Sequence, residues 1–178
     1  FADSYGGTYT VDVIEPAPFD PLDGIDWGTE LASNTINVYF GPAGFSGSGV
    51  TSEGFNAYEI QQFQAAFDII ESAVDVQFNI VNNAANADFL LILDTNEMGA
   101  LGFFNPPNTG PDSGIGAFNA AAWDRTAGGD LEVGGFGFIT IIHELGHGLG
   151  LAHPHDNGGS SSVYPGVSDP FSDTGTFD

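Results

Sequence analysis

The chain has 178 residues, and its 24 acidic residues face a single basic one, Arg125, so that the formal net charge is -23. So acidic a surface repels nucleic acid and anionic membrane surfaces, and we expect neither as a partner. Cysteine is absent, which excludes disulfide bonds, thiol nucleophiles and thiolate metal ligands.

Two explanations of the acidity stay open. Carboxylates keep a protein soluble in a salty medium, where their mutual repulsion is screened, and they also bind hard cations such as Ca²⁺. The first explanation is favoured because the sequence contains no EF-hand-like run of alternating Asp and Asn. Ca²⁺ is kept as a second candidate cofactor.

The length and the even spread of aromatic residues predict one domain over residues 1–178. No stretch approaches the about 18 consecutive apolar residues of a membrane span, and the first residues lack the charged and apolar parts of a secretory signal. Residues 1–34 are rich in Gly, Pro, Asp and Ser, so we expect an N-terminal arm that wraps the domain.

The first predicted elements are a strand, a helix and two further strands. β-Favouring residues predict a strand over Ile36–Phe40. Apolar residues three and four apart predict a helix over residues 56–74, and a capping box formed by Asn56 and Glu59 begins it. Alternation predicts a half-buried strand over residues 74–81, whereas the continuous apolar run at residues 88–94 predicts a central strand.

The second half of the chain alternates loops with short ordered segments. Gly, Pro, Asn and Asp predict a long surface loop over residues 95–114, with a strand from Ile115 and a helix over residues 136–149 after it. The tail from Pro154 shows no periodicity. The elements together predict an α+β fold, in which a twisted mixed sheet of four or five strands carries two long helices on one face.

The segment HELGHGLGLAH, from His143 to His153, carries the strongest chemical signal. Residues four apart on a helix project from nearly the same face, so the imidazoles of His143 and His147 can bind one metal ion together. Glu144 lies beside that pair, where its carboxylate can reach a metal-bound water without being a ligand. The pattern predicts a catalytic zinc site with Glu144 as its general base.

Gly150 follows His147 by three residues, where a helix commonly ends with a residue at positive φ. A turn there brings His153 back towards the metal as a third ligand. It leaves the fourth position open for water, as in catalytic rather than structural zinc sites. All four histidines of the chain lie between residues 143 and 155, and we expect the fourth, His155, to be a bystander.

The spacing HExxHxxGxxH resembles the zinc-binding signature of the metzincin proteases. The wider context, GFGFITIIHELGHGLGLAHPHD, looks like the serralysins, the bacterial secreted RTX-type branch in which proline follows the third histidine. WGTELASNTINVYF near the start extends the similarity over most of the chain. The resemblance implies a secreted, extracellular zinc metalloendopeptidase with a metzincin-like zincin fold, acting on protein or peptide substrates.

The resemblance also assigns roles to single residues. His143, His147 and His153 become the Zn²⁺ ligands, Glu144 the general base and Gly150 the turn. Asp156 stands where the family often has an acidic residue that supports the site, although a solvated loop aspartate explains it equally well. The residues implied as the antiparallel edge strand along which an extended substrate lies are Gly116, Ala117, Phe118, Asn119 and Ala120.

The resemblance fails at the C-terminal end. Metzincins have a methionine in a tight turn after the third histidine, beneath the zinc, and serralysins add a tyrosine two residues later. The only methionine here, Met98, precedes the motif, and Tyr164 has no methionine two residues before it. We therefore hypothesise that the chain is a processed or nicked fragment. The Met-turn and a calcium-binding repeat domain would belong to a longer precursor, whose C-terminal fragment would be a partner of this chain.

Two functions stay open on the sequence. The first is peptide-bond hydrolysis by metal-activated water. The second, favoured by the missing Met-turn, is a catalytically silent zinc-binding fragment of a processed protease. A purely structural zinc site is disfavoured, because such sites usually use four protein ligands and cysteine is absent.

Overall fold

The computed structural model describes residues 20–95, 98–155 and 157–163. Residues 1–19 of the predicted arm at residues 1–34 therefore lie outside the described residues. Asp156 and Tyr164 lie outside them as well. Among the described residues the helices are Ala57–Ala73 (α1) and Phe136–Gly148 (α2), and short 3₁₀ turns lie at Pro21–Gly24, Ala84–Asn86 and Ala120–Ala122. The strands are Thr35–Phe40 (β1), Ser46–Gly47 (β2), Val50–Thr51 (β3), Gln77–Ile80 (β4), Phe89–Asp94 (β5), Gly102–Phe104 (β6) and Ile115–Asn119 (β7).

Five of these strands form one mixed sheet in the order β4-β1-β5-β7-β6. The first four are parallel to one another, and β6 pairs antiparallel with β7 at the edge. β2 and β3 form a separate antiparallel pair. The structure confirms the α+β class and a mixed sheet of four or five strands with two helices.

Both helices pack on the same face of the sheet, as predicted. The main core joins Phe63 of α1 and Ile141 of α2 to Leu91 and Phe118 of the sheet. The opposite face holds a smaller cluster centred on Ile92, Ile115 and Ala117, against which Met98 packs. β5 is thus covered on both faces, which explains its continuous apolar run.

The start of α1 is fixed locally, as the capping-box pattern predicted. The Asn56 side chain accepts a hydrogen bond from the Glu59 N–H at 2.9 Å, and the Glu59 carboxylate accepts one from the Asn56 N–H at 2.7 Å. The helix over residues 56–74 is confirmed to within a residue at each end. The following strand is shorter than the predicted 74–81, because β4 covers only Gln77–Ile80 at the sheet edge.

The strand arrangement around β7 corrects two predictions. Residues 95–114 are not a loop throughout, because β6 lies within them and pairs with β7. For the same reason, the prediction that residues 116–120 form an edge strand is wrong: β7 has β5 on one side and β6 on the other. A Cβ at Gly116 would lie 2.5 Å from the Phe104 ring, so glycine there allows Phe104 to cover β7.

Among the described residues, no helix combines the length and the apolar character that crossing a membrane requires.

Candidate metal centre

Helix α2 places His143 and His147 on its surface while its other face packs into the core, where Ile141 and Leu145 are fully buried. Gly148 allows this helix to approach the sheet closely. A Cβ at Gly148 would lie 2.7 Å from Cε1 of Phe104. This packing accounts for a glycine that otherwise disfavours the helix by about 1 kcal/mol.

The chain leaves α2 through a glycine turn. The Leu151 N–H donates to the Gly146 carbonyl at 3.0 Å and the Gly150 N–H to the His147 carbonyl at 3.0 Å, which is the Schellman pattern. Gly150 has a φ of 100°, in the left-handed region that glycine adopts without steric cost. A Cβ at this position would also lie 2.4 Å from the Thr29 carbonyl oxygen. The turn therefore requires glycine on two counts.

The turn brings a third imidazole to the pair on the helix. The Nε2 atoms of His143 and His147 are 3.1 Å apart, those of His147 and His153 are 3.0 Å apart, and those of His153 and His143 are 3.1 Å apart. Nitrogen ligands of a tetrahedral zinc, each about 2.0–2.1 Å from the ion, lie about 3.3–3.4 Å from one another. Small ring movements therefore convert this triangle into three corners of a zinc site.

The protonation of His147 also suits a metal. Its Nδ1 lies 2.8 Å from the Leu151 carbonyl oxygen, which can only accept, so Nδ1 carries the hydrogen of this contact. In the neutral ring Nε2 then presents a lone pair towards the other two histidines. A backbone carbonyl that fixes the outer nitrogen of an imidazole is a common support for metal-binding histidines. The three residues therefore fit a divalent metal ion.

Glu144 lies next to these rings and is 6% exposed. Its Oε2 is buried and makes no hydrogen bond within the described part of the chain. Burial raises the pKa of this carboxyl from 4.5 to about 7. A Cβ at Gly102 would lie 2.9 Å from Cγ of Glu144, so the glycine of β6 leaves room for this side chain. The carboxylate is therefore poised to exchange a proton near neutral pH.

His155 contacts the site, which the sequence did not predict. Its ring stacks on that of His153, with ring centroids 4.8 Å apart and an interplanar angle of 14°. The rings of His143 and His153 also stack, with their centroids 5.1 Å apart and an interplanar angle of 26°. His153, which follows the glycine turn, therefore stacks against the rings of both His143 and His155.

A cleft of about 420 Å³ opens beside the metal centre. Its walls include the three histidines, Glu144, all of β6, Trp27 and Gly158. A neighbouring pocket of about 300 Å³ shares Gly102, His143 and Glu144 with it and adds Leu101, Phe136, Ile139 and Thr140. The structure thus places β6, rather than residues 116–120, along the cleft.

Sequence reasoning missed both Trp27 and β6. Trp27 lies in the Gly- and Pro-rich segment that was assigned to a wrapping arm. β6 is three residues long within a loop-like segment. The small residues Gly116 and Ala117 were an available signal, since a run without large side chains is typical of a strand that is closely covered.

Two curated proteins, both named serralysin, are similar to part of this chain. The protein from Photorhabdus luminescens is 33% identical over 122 residues, which make up 62% of this chain and 24% of the relative. The protein from Photorhabdus laumondii subsp. laumondii is 29% identical over 119 residues, which make up 61% of this chain and 25% of the relative. The chain thus spans about a quarter of the length of the curated relatives it matches. No protein-family model matches the chain.

These matches support a relationship to metzincin-like proteases. The described residues contain one group of three or more side chains that could hold a metal ion, namely His143, His147 and His153. The structure therefore offers three side chains that could bind the predicted zinc ion. The predicted calcium binding stays a prediction.

Proposed function

We propose that the chain is the catalytic core of a zinc-dependent endopeptidase of the serralysin type, with a metzincin-like zincin fold, secreted to act on extracellular proteins or peptides. One observation carries the proposal: three imidazole Nε2 atoms converge to within 3.1 Å of one another beside a buried glutamate. Three protein ligands leave a further position for water, which is characteristic of catalytic zinc sites.

His143, His147 and His153 would hold the zinc ion. When bound, zinc supplies Lewis-acid activation of a water molecule and of the scissile carbonyl. Glu144 accepts a proton from water at its buried Oε2 and passes it to the leaving amine. In the metal-free chain burial raises the pKa of this carboxyl to about 7, so the environment of Glu144 favours its protonated form and helps it to accept a proton. No covalent intermediate with the protein is required.

β6 offers the means of holding a peptide. Within the described part of the chain β6 is the last strand of the sheet and pairs with β7 on one edge, and all three of its residues line the cleft. An extended peptide can add to such an edge through backbone hydrogen bonds, which bind without regard to sequence. Gly102 would place the backbone of this peptide next to Glu144. The pocket lined by Leu101, Phe136 and Ile139 would receive an apolar side chain.

The test is cleavage of casein and of quenched fluorogenic peptides by the chain supplied with zinc. We expect cleavage that a chelator stops and that zinc restores. Glu144→Gln should bind zinc normally but lose about a thousandfold in kcat, the middle of the range of general acid–base effects. Asp68→Asn removes an exposed carboxylate from α1 and serves as the matched charge control, with activity retained.

Each contrary outcome has a definite meaning. Full activity of Glu144→Gln would refute the assigned base. A wild-type chain that binds zinc and cleaves no peptide would refute the proposed hydrolysis and favour a catalytically silent zinc-binding fragment. Cleavage that survives complete removal of metal would refute the zinc-dependent mechanism.

A further inference from the structure

Trp27 lies in the cleft but has no part in holding the metal or moving protons. The cleft and the adjoining pocket share Gly102, His143 and Glu144, whereas Trp27 belongs to the first alone and Ile139 to the second alone. The cleft includes the Phe104 end of β6, and the pocket includes Leu101 at its other end. Trp27 is bonded to Gly150, just after the end of α2 at which Gly148 packs on Phe104. Ile139 lies in the first turn of α2, before Glu144, which packs on Gly102. Trp27 and Ile139 therefore lie towards opposite ends of β6, on either side of Glu144.

Trp27 is held firmly in this place. The backbone N–H of Trp27 donates to the Gly150 carbonyl at 2.9 Å, and the backbone carbonyl of Trp27 accepts from the Ser160 N–H at 2.9 Å. The indole packs against Gly159, where a Cβ would lie 2.6 Å from Cδ1 of the ring. The residue remains partly exposed and lines the cleft. A rigid aromatic ring that is accessible from a cleft is well suited to bind an apolar side chain.

The direction of the peptide follows from the strand it would join. β6 runs from the Leu101 end of the cleft to the Phe104 end. Antiparallel pairing is the more stable arrangement, so a bound peptide would run from the Trp27 side towards the Ile139 side. Residues on the N-terminal side of the scissile bond would then lie near Trp27.

We propose that Trp27 is a specificity-determining residue that binds an aromatic or large aliphatic side chain on the N-terminal side of the scissile bond. The inference rests on the proposed function and adds a substrate class to it: peptides with an apolar residue before the cleaved bond. Trp27 belongs to a segment that is also bonded to the Gly150 turn, so the segment that supports the metal centre would also select the substrate.

Cleavage of paired peptides tests the proposal. The two peptides of the first pair differ at one position before the cleaved bond, where one has Phe and the other has Gly. The two peptides of the second pair differ in the same way at one position after the bond. Further pairs place the Phe or Gly at each of the other positions near the bond. Trp27→Ala should lower kcat/KM for the Phe peptide about tenfold at one or two positions before the bond. The Gly peptide should change less than about twofold. Trp27→Phe should keep most of the preference, because it retains an aromatic ring.

Ile139→Ala provides the matched comparison on the other side of Glu144. It should weaken the preference for an apolar residue after the cleaved bond and leave the preference before it intact. Equal losses for the Phe and Gly peptides in Trp27→Ala would overturn the proposal, since they would indicate a purely structural role. An unchanged preference in Trp27→Ala would also overturn it.

Fluorescence provides a second measurement that does not need catalysis. The chain has two tryptophans, and the other, Trp123, is buried at 7% exposure. Titration of a Trp-free Phe peptide into zinc-loaded Glu144→Gln should change the emission, and the change should vanish when Trp27→Phe is added. A saturating peptide that leaves the emission unchanged, or a change that survives Trp27→Phe, would overturn the proposal. A wild-type chain that cleaves nothing but shows the Trp27-dependent change would defeat the proposed hydrolysis alone.

Discussion

Arg125→Met removes the cationic partner of a buried carboxylate. Glu59 of α1 has a fully buried side chain, and Arg125 donates to it twice, from Nε to Oε1 at 2.6 Å and from Nη2 to Oε2 at 3.0 Å. The same Nη2 donates to the Gly54 carbonyl at 2.9 Å. The chain's one basic side chain thus ties the segment before α2 to the start of α1.

The cost of the substitution follows from these contacts. Without Arg125 the Glu59 carboxylate keeps one of its three hydrogen bonds, the one from the Asn56 N–H at 2.7 Å. Breaking a buried ion pair from one side costs about 3–5 kcal/mol, because the remaining charge stays buried without its counterion. A single domain has a free energy of unfolding of about 5–15 kcal/mol. We therefore expect the variant to lose a large part of its stability.

Urea unfolding of the zinc-loaded protein measures this loss. The double variant Arg125→Met with Glu59→Met should recover at least about 2 kcal/mol, since it removes the buried charge as well. Glu53→Gln is the control, because Glu53 lies 3.7 Å from Arg125 with 40% of its side chain exposed, and it should cost less than about 1 kcal/mol. An Arg125→Met variant within about 1 kcal/mol of wild type would refute the reasoning.

Three further predictions concern the metal centre. Gly150→Ala should lower the free energy of unfolding by about 1–3 kcal/mol and speed zinc release, because its φ is 100° and a Cβ would lie 2.4 Å from the Thr29 carbonyl oxygen. Gly146→Ala should have neither effect, because Gly146 lies within α2 and a Cβ there would make an ordinary contact of 3.6 Å with Cδ1 of Leu151. Equal effects of the two substitutions in urea unfolding would contradict this. His155→Ala should raise the rate of zinc loss to a chelator about two- to tenfold through the lost ring stacking, whereas His155→Phe should stay near wild type; equal rates in both variants would count against the stacking role. For the metal-free protein, the pKa of Glu144 is raised from 4.5 to about 7, so the folded state binds more protons than the unfolded state between these values and loses stability as the pH rises through them. Compared with Glu144→Gln in urea unfolding at pH 4 and pH 8, this loss should be on the order of 3 kcal/mol; parallel pH dependence of the two proteins would be the contrary result.

Local signals predicted the parts of the fold that local interactions determine. The capping box needs only Asn56 and Glu59, so the start of α1 could be predicted from two residues three positions apart in the sequence. The spacing of His143 and His147 on one helix face, and the glycine turn at Gly150, lie within one short segment. The sequence therefore predicted how these side chains would be brought together.

Non-local pairing determined the parts that the sequence could not predict. β6 has three residues, and its strand conformation depends on hydrogen bonding to β7 rather than on its own propensity. The position of a strand within a sheet is likewise a property of its neighbours, which is why β7 was mistaken for the edge. Trp27 reaches the cleft through hydrogen bonds to Gly150 and Ser160, and no pattern in the N-terminal segment indicates partners so distant along the chain.

The most direct test of the central claim is the zinc content of the purified protein after incubation with excess zinc and removal of free metal. Wild type and Glu144→Gln should each retain one zinc ion per chain, since Glu144 is not a ligand, and His147→Ala should retain none. A wild-type chain without zinc, or a His147→Ala variant with a full equivalent, would contradict the proposal that the three converging imidazoles form the metal centre.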